Sequence, residues 1–324
     1  MTEPDRSLPL LFLAPMAGVT NTVFRRICKR EGVDVLTSEF VSAEGILHRN
    51  SRTREYLEFD ESERPFGVQL FGADPVRLGE AARAVVDWVR PDFIDLNFGC
   101  PANKVVCKEG GSALLRNCPL LEAVAREVVR AVAPLPVTAK IRIGWDEASI
   151  NATTTAKILE DAGVVRIAVH GRTREQGYSG KADWNVIAQV AGAVRIPVVG
   201  NGDIASAEDA LRRWKESGVA GLMIGRAAMS APWLFAQIRA AFRGLPVPPD
   251  PSPAERWNRI LTHCEEEVAW RGSEEFAIRS MRSRLMAYSR GMPAGRSLRG
   301  LLSHVTTIAE LREIAARHLE TCAN

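Results

Sequence analysis

The chain has 324 residues, 46% of them hydrophobic, which argues against disorder and is enough for one large domain, or for a large one and a small one. Its net charge of +3 is too mild to indicate nucleic-acid binding by itself, so any such claim rests on where the charge sits. The six cysteines, Cys28, Cys100, Cys107, Cys118, Cys264 and Cys322, form no CxxC pair and no Cys/His cluster at zinc spacing; no metal site is expected, and a reducing compartment is. The opening MTEPDRSLPL carries two acids and a proline before an apolar run that shows no cleavage site, and no run reaches the length of a membrane span. A soluble, cytoplasmic protein is expected, with a monomer favoured.

Eight short apolar segments follow one another along the chain: LFLAPM at 11–16, VDVLTSEF at 33–40, FGVQLFG at 66–72, DFIDLNF at 92–98, PVTAKIRIG at 136–144, VVRIAVHG at 164–171, PVVGNGD at 197–203 and GLMIGR at 221–226. Between them lie amphipathic stretches such as PVRLGEAARAVVDWV, LLEAVAREVVRAVA, TTTAKILEDAG and SAEDALRRWKESG, several closing on the glycine expected just past a helix C-terminus. Apolar strands alternating with helices predict a parallel sheet covered on its outer face, and eight units in about 240 residues match a (β/α)8 TIM barrel. A doubly wound sheet is the competitor, but no GxGxxG follows the first strand, where a dinucleotide fold needs it. Residues 1–243 are therefore read as an α/β barrel domain. The segment RGLPVPPDPSP cannot continue a helix, so 244–253 reads as a proline-rich linker. Only helical patterns follow, and 254–324 is expected to be a small helical domain that leans on the barrel to complete its core.

In such a barrel, function sits at the C-terminal ends of the strands. Those ends carry Pro15, Met16 and Ala17, then Gln69, Asn97 with Cys100, Lys140 with Arg142, His170 with Arg172, Asn201, Gly202 and Asp203, and Gly225 with Arg226. The last two groups are glycine-containing turns in the place where many barrels build a phosphate site, and Arg226 would add a charge-assisted contact; a single such glycine would mean no more than a tight turn. Lys140 and Arg142 alternate with Ile141 and Ile143, so both cations share one face of their strand. A lysine there either faces a ligand at the barrel mouth or pairs with a carboxylate such as Asp95. His170 is one of five histidines and the one that ends a strand; a lone histidine is commonly structural, while its neighbours Gly171 and Arg172 point toward function.

Cys100 lies in NFGCPANK, where Gly99 and Pro101 break the strand and present the thiol at its mouth. A thiol of ordinary pKa, about 8.5, is protonated at neutral pH and suits proton donation; no base adjacent in sequence supports the rival role of nucleophile, and a buried cysteine is often only a small hydrophobe. In the tail, six arginines and no acid fall between Arg279 and Arg299, a run that suits a phosphate backbone or, equally, a solvated helix face balanced by Glu265, Glu266 and Glu267.

These strand ends together resemble the tRNA-dihydrouridine synthase family, and more closely its bacterial B-type branch. The motifs are APMAGVTN at 14–21, VQLFG at 68–72, NFGCPANKV at 97–105, GSALL at 111–115, KIRIGWD at 140–146, HGRTREQGYSGKADW at 170–184, GNGDI at 200–204 and IGRAAMSAPW at 224–233, in order across nearly the whole barrel. The resemblance implies an FMN enzyme that uses NADPH to reduce the C5–C6 double bond of uridines in the D-loop of tRNA. By motif match, Pro15, Met16 and Ala17 would line the flavin ring, Gln69, Lys140 and His170 hold its polar edge, and Asn201, Gly202, Asp203, Gly225 and Arg226 hold its phosphate. Cys100 would protonate C5, Asn97 orient the base, Lys140 or Arg142 stabilise developing negative charge, and Arg172 with the tail residues Arg279, Arg282 and Arg284 contact tRNA. One departure concerns the tail: B-type relatives tend to carry a Lys-His pair before an aromatic residue, where this chain has Arg282, Ser283 and Arg284 before Tyr288. Rival readings are another FMN barrel acting on a small free substrate, such as a dihydroorotate dehydrogenase or an ene-reductase, and a tRNA-binding protein whose flavin is structural.

Overall fold

The structure, a computed structural model, describes residues 8–323. Residues 1–7, which include most of the opening segment read above as lacking a leader, and Asn324 lie outside the described residues.

Among the described residues, nine strands form one parallel sheet: β1 (Leu10–Leu13), β2 (Leu36–Thr37), β3 (Val41–Ser42), β4 (Phe66–Phe71), β5 (Phe93–Phe98), β6 (Val137–Arg142), β7 (Arg166–His170), β8 (Val198–Asn201) and β9 (Gly221–Ile224). Their order is β1-β9-β8-β7-β6-β5-β4-β2, with β3 also on β4. A parallel bridge between Phe12 and Val35, with Asp34 N donating to Leu11 O at 2.9 Å, brings the two edges together, so eight strand positions make a nearly closed barrel. The expected α/β TIM barrel is the observed fold.

The second strand differs from its expected form, because 33–40 is not continuous. Ser38 N still donates to Gly67 O at 2.9 Å, but Ser38 Oγ takes the place of a backbone acceptor for Gln69 N at 3.0 Å, and the ladder resumes only at β3. That break turns Glu39 away from the sheet and buries it beneath the loop after β1.

Helices α1 (Thr22–Arg30), α2 (Ala43–Leu47), α3 (Ser51–Leu57), α4 (Pro75–Val89), α5 (Asn103–Val106), α6 (Cys118–Val132), α7 (Ala152–Asp161), α8 (Trp184–Ala193), α9 (Ala207–Ser217), α10 (Arg226–Ser230) and α11 (Leu234–Phe242) alternate with the strands. Caps fix their ends: Asp74 accepts from Arg77 N before Pro75, and Gly218 closes α9 in the left-handed region, as its position past the periodic pattern predicts. The main core lies between sheet and helices, where Leu11, Val68, Ile94, Leu96, Ile141 and Ile167 are fully buried; each such side chain contributes on the order of 1.5–3 kcal/mol. A smaller cluster closes the bottom of the lumen, with the Arg166 guanidinium 5.0 Å from the ring centres of both Phe12 and Phe93. Gly67 makes room for it, since a Cβ there would lie 2.1 Å from the Phe93 ring.

After α11 the chain runs irregularly to Ser252, pinned where Asp250 accepts from Trp233 Nε1, Gln237 Nε2 and Arg256 Nη2. The helical region comprises α12 (Pro253–Arg271), α13 (Glu274–Tyr288), α14 (Gly295–Leu302) and α15 (Ile308–Ala323). It has its own apolar cluster around Trp257, Ile278, Met281, Leu285 and Leu302. Contact with the barrel is largely polar, through Arg30 to Glu266 at 2.7 Å and Arg271 to Glu55 at 3.0 Å, with the Phe24 ring stacked on His263. Among the described residues, no helix is long and apolar enough to cross a membrane.

Candidate active site

The C-terminal ends of the strands enclose a cavity of about 930 Å³. Its wall contains Pro15, Met16, Ala17, Gln69, Asn97, Cys100, Lys140, Arg142, His170, Asn201, Gly202, Asp203, Gly225 and Arg226, so residues far apart in the chain and singled out at separate strand ends meet in one place. Strand register explains the meeting: Asn97 lies opposite Lys140, Arg142 opposite His170, and His170 opposite Asn201. Alternation on β6 works as expected, with Lys140 and Arg142 on the cavity side and Ile141 and Ile143 in the outer core.

A chain of buried hydrogen bonds runs from the lumen to the cysteine. Asp95 accepts from Thr138 Oγ1 at 2.5 Å and from Gln69 Nε2 at 2.6 Å; this turns Gln69 Oε1 toward Asn97 Nδ2, which donates to it at 2.7 Å. Asn97 Oδ1 is then free to accept from Gly99 N at 3.1 Å and Cys100 N at 2.8 Å. Each amide orientation follows from the one before it. Asn97 thus shapes the turn that carries the thiol, a role not expected from its sequence position. Burial raises the Asp95 carboxyl, which its two hydrogen-bond donors oppose. The internal ion pair of Lys140 with Asp95 does not form: Asp95 is occupied by Gln69 and Thr138, and among the described residues Lys140 has no hydrogen-bond or ion-pair partner.

Cys100 is 9% exposed and faces the cavity. Its carbonyl is held by Ser112, from Oγ at 2.9 Å and N at 3.2 Å. Gly111 is required beside it, because at φ +59° an added Cβ would lie 2.9 Å from the Cys100 carbonyl.

Four cations, Lys140, Arg142, Arg172 and Arg226, crowd this end of the barrel around the one carboxylate of Asp203 and the buried Asp95. Burial, then repulsion from Arg142, brings Lys140 down to about 8; burial above all brings Arg142 down to about 10. His170, buried and surrounded by the same cations, is pushed down to about 2 and is a neutral hydrogen-bonding ring at working pH. What such a wall lacks is negative charge. An anionic ligand would relieve all three shifts together, and the donor set fits an FMN: a neutral imidazole, an amide and a lysine toward a polar ring edge, and glycine turns with Arg226 toward a phosphate.

Three of the expected site residues have partners within the chain, and for Arg172 this corrects the expected role. Asp203 does not offer its carboxylate to a phosphate, since it accepts from Arg172 Nη2 at 2.7 and 2.9 Å, from Ala182 N at 2.8 Å and from Arg226 Nη2 at 3.1 Å. Its backbone is held left-handed at φ +49° beside Gly202, a conformation that leaves the backbone of this turn to meet an anion. Arg172 is buried against Asp203 and the carbonyls of Ser179 and Gly180, where a tRNA cannot reach it. Arg142 donates to the carbonyls of Gly99, Thr173 and Gly177, which ties the cysteine turn to the loop after β7.

The tail arginines divide as well. Arg279 is exposed and pairs with Glu275; Arg282 donates to the carbonyls of Val305 and His304; Arg284, only 3% exposed, is buried at the junction with the barrel and is not a tRNA contact. Arg290, which was not singled out within the arginine run, lines the cavity from the turn after α13. Tyr178 was missed too: it lies under the Arg226 guanidinium, 4.7 Å from ring centre to carbon. No periodicity marks either residue; only the paths of their loops bring them to the mouth.

A family model described as dihydrouridine synthase (Dus) matches residues 12–323. The chain belongs to the dihydrouridine synthase family. It is 43% identical over 299 residues to tRNA-dihydrouridine synthase B of Pseudomonas aeruginosa, covering 92% of this chain and 88% of that one. It is 38% identical over 304 residues to tRNA-dihydrouridine synthase B of Xanthomonas campestris, covering 94% and 91%. Among solved structures, TcOYE with pHBA aligns at TM-score 0.52 and 13% identity over 75% of this chain and 91% of that one, and a variant of NCR from Zymomonas mobilis at 0.52 and 15% over 74% and 87%. At that identity these two show a shared barrel fold. The dihydrouridine synthase match runs through the helical region as well as the barrel, and the family's enzymes are flavin-dependent oxidoreductases.

Proposed function

We propose that this protein reduces uridine to 5,6-dihydrouridine in the D-loop of tRNA, with FMN as its cofactor and NADPH as the reductant. The observation that carries the reading is the cavity itself, in which the Cys100 thiol and a wall short of negative charge face the same space. The names of its relatives, tRNA-dihydrouridine synthases, support the same substrate.

Reduced FMN, when bound, would supply hydride to uracil C6. The chain's own residues do the rest. Pro15, Met16 and Ala17 form an apolar wall for a flat ring system, Gln69, Lys140 and His170 offer donors to its polar edge, and the backbone of Gly202, Asp203 and Gly225 with Arg226 holds a phosphate. Cys100 donates its proton to C5, completing the addition of two hydrogens across the double bond. Lys140 opposes negative charge as it develops on the base. The target nucleotide must leave its stack to enter, which costs a few kcal/mol and less in a loop than in a duplex. Arg290 at the cavity wall and exposed Arg279 on α13 place positive charge where the tRNA backbone would pass, so residues 254–324 are read as the tRNA-binding part and 1–243 as the catalytic part.

The test is purified protein with FMN, NADPH and unmodified tRNA, read by mass spectrometry. A two-dalton gain at a D-loop uridine supports the reading. No gain, together with NADPH consumption on a small enone, would make it a small-molecule reductase instead.

A further inference from the structure

The geometry points to Arg284 as a positioning residue for the flavin site: from the helical region it fixes the loop that lines the cavity after β1, so that seating of the tail and holding of the flavin are coupled. This inference rests on the reading that the cavity takes FMN.

Pro15, Met16 and Ala17 line the cavity, and the chain then turns back sharply. Val19 N donates to Met16 O at 3.0 Å and Met16 N to Thr20 Oγ1 at 3.0 Å, which closes the base of the loop. Its tip is Gly18, left-handed at φ +72°. Both backbone polar groups of that residue are taken by charges: Gly18 N donates to Glu39 Oε2 at 2.6 Å, and Gly18 O accepts from Arg284 Nη2 at 3.1 Å. Glu39 is 4% exposed and Arg284 3%, so neither group has solvent to turn to. Losing such a bond leaves a buried charge partly unpaired, which makes the grip firm.

Arg284 is itself held. Glu267, fully buried, faces Arg284 Nη1 at 3.5 Å and accepts from Arg271 Nε at 2.7 Å and from Asn21 Nδ2 at 2.9 and 2.8 Å. Asn21 in turn caps α1, its Oδ1 accepting from Phe24 N at 3.0 Å. One network thus grips Gly18 at the tip of the loop and Asn21 at its end, and three of its members, Glu267, Arg271 and Arg284, belong to helices α12 and α13. Arg284 does not line the cavity. Any effect it has on flavin must pass through the loop, and by reciprocity a bound flavin steadies the seating of the tail.

The experiment titrates FMN into flavin-free, full-length R284M and follows quenching of flavin fluorescence. The expected result is a dissociation constant about tenfold above wild type, with R284K lying between because lysine reaches one of the two acceptors. A folded R284M, checked by circular dichroism, that binds FMN within twofold of wild type and loses only tRNA affinity overturns the proposal. Should R284M not fold, G18A keeps the test open, since a Cβ at Gly18 meets nothing within 4 Å and disturbs only the left-handed tip. Weakened flavin binding in G18A supports the loop's role, and unchanged binding overturns it. Wild type that binds FMN yet makes no dihydrouridine sinks the functional reading alone, because this titration needs no tRNA.

Discussion

Gln69 Nε2 donates to Asp95 Oδ2 at 2.6 Å in the barrel lumen, and from that one bond the orientation of Gln69, then Asn97, then the turn carrying Cys100 follows in sequence. Asp95 must be an acceptor on both oxygens. In D95N one side presents an amide N–H, either to the Gln69 amide, which then turns over, or to Thr138. The expected outcome is a loss of about 1–3 kcal/mol in urea unfolding, with weaker flavin retention. Unfolding and flavin content equal to wild type would show that the relay does not set the site.

In the proposed function the Cys100 thiol, which faces the cavity, supplies the proton that C5 receives. C100A should keep flavin and bind tRNA, while dihydrouridine formation falls by about 10²–10⁴-fold, the usual worth of a positioned proton donor. The measurement is single-turnover oxidation of pre-reduced enzyme by tRNA. An unchanged rate would leave the thiol without a catalytic role and favour the view that the flavin is structural.

The barrel was readable because apolar strand bodies and amphipathic helices repeat with regular punctuation, and the strand ends were readable because register, once the fold is known, brings them to one mouth. Residues in the wall such as Lys140 and His170 carry their signal locally, a polar group ending an apolar run. Arg284 does not: its place in a run of arginines suggested a tRNA contact, and only the packing of α13 against the loop at Gly18 buries it. Arg172 misled in the same way, since its partner Asp203 comes from the next strand. The break at Ser38 was hidden because a side-chain oxygen replacing a ladder acceptor leaves no trace in an apolar pattern.

Lys140 gives the site a pH dependence with a definite sign. Its pKa falls from the ordinary 10.5 to about 8 on burial beside Arg142, so the folded, flavin-free protein binds the proton less well than the unfolded chain. Stability is therefore reduced below pH 8 and rises as pH goes from 8 to 10.5. K140M removes that cost: at pH 7 the flavin-free variant should be more stable than wild type by an amount on the order of 2–3 kcal/mol, with the difference closing toward pH 10.5. An anionic ligand favours the charged lysine, so wild-type FMN affinity should decline above pH 8 while that of K140M stays nearly flat. Chemical denaturation and flavin titration across this range check both; parallel pH curves for the two proteins would remove Lys140 from the account.

Arg290 lies outside the polar relay, is exposed, and lines the cavity from the turn after α13, so under the proposed function its substitution distinguishes substrate from cofactor. R290A should raise the tRNA KM with little change in the rate of NADPH-driven flavin reduction, and wild-type tRNA affinity should fall steeply with salt. If Arg290 meets one backbone phosphate, the slope of log affinity against log salt drops by about one in R290A. Filter binding over a salt series measures it. An R290A slope equal to that of wild type would mean that the guanidinium meets no phosphate, and tRNA docking would then have to rest on the exposed face of α13 around Arg279.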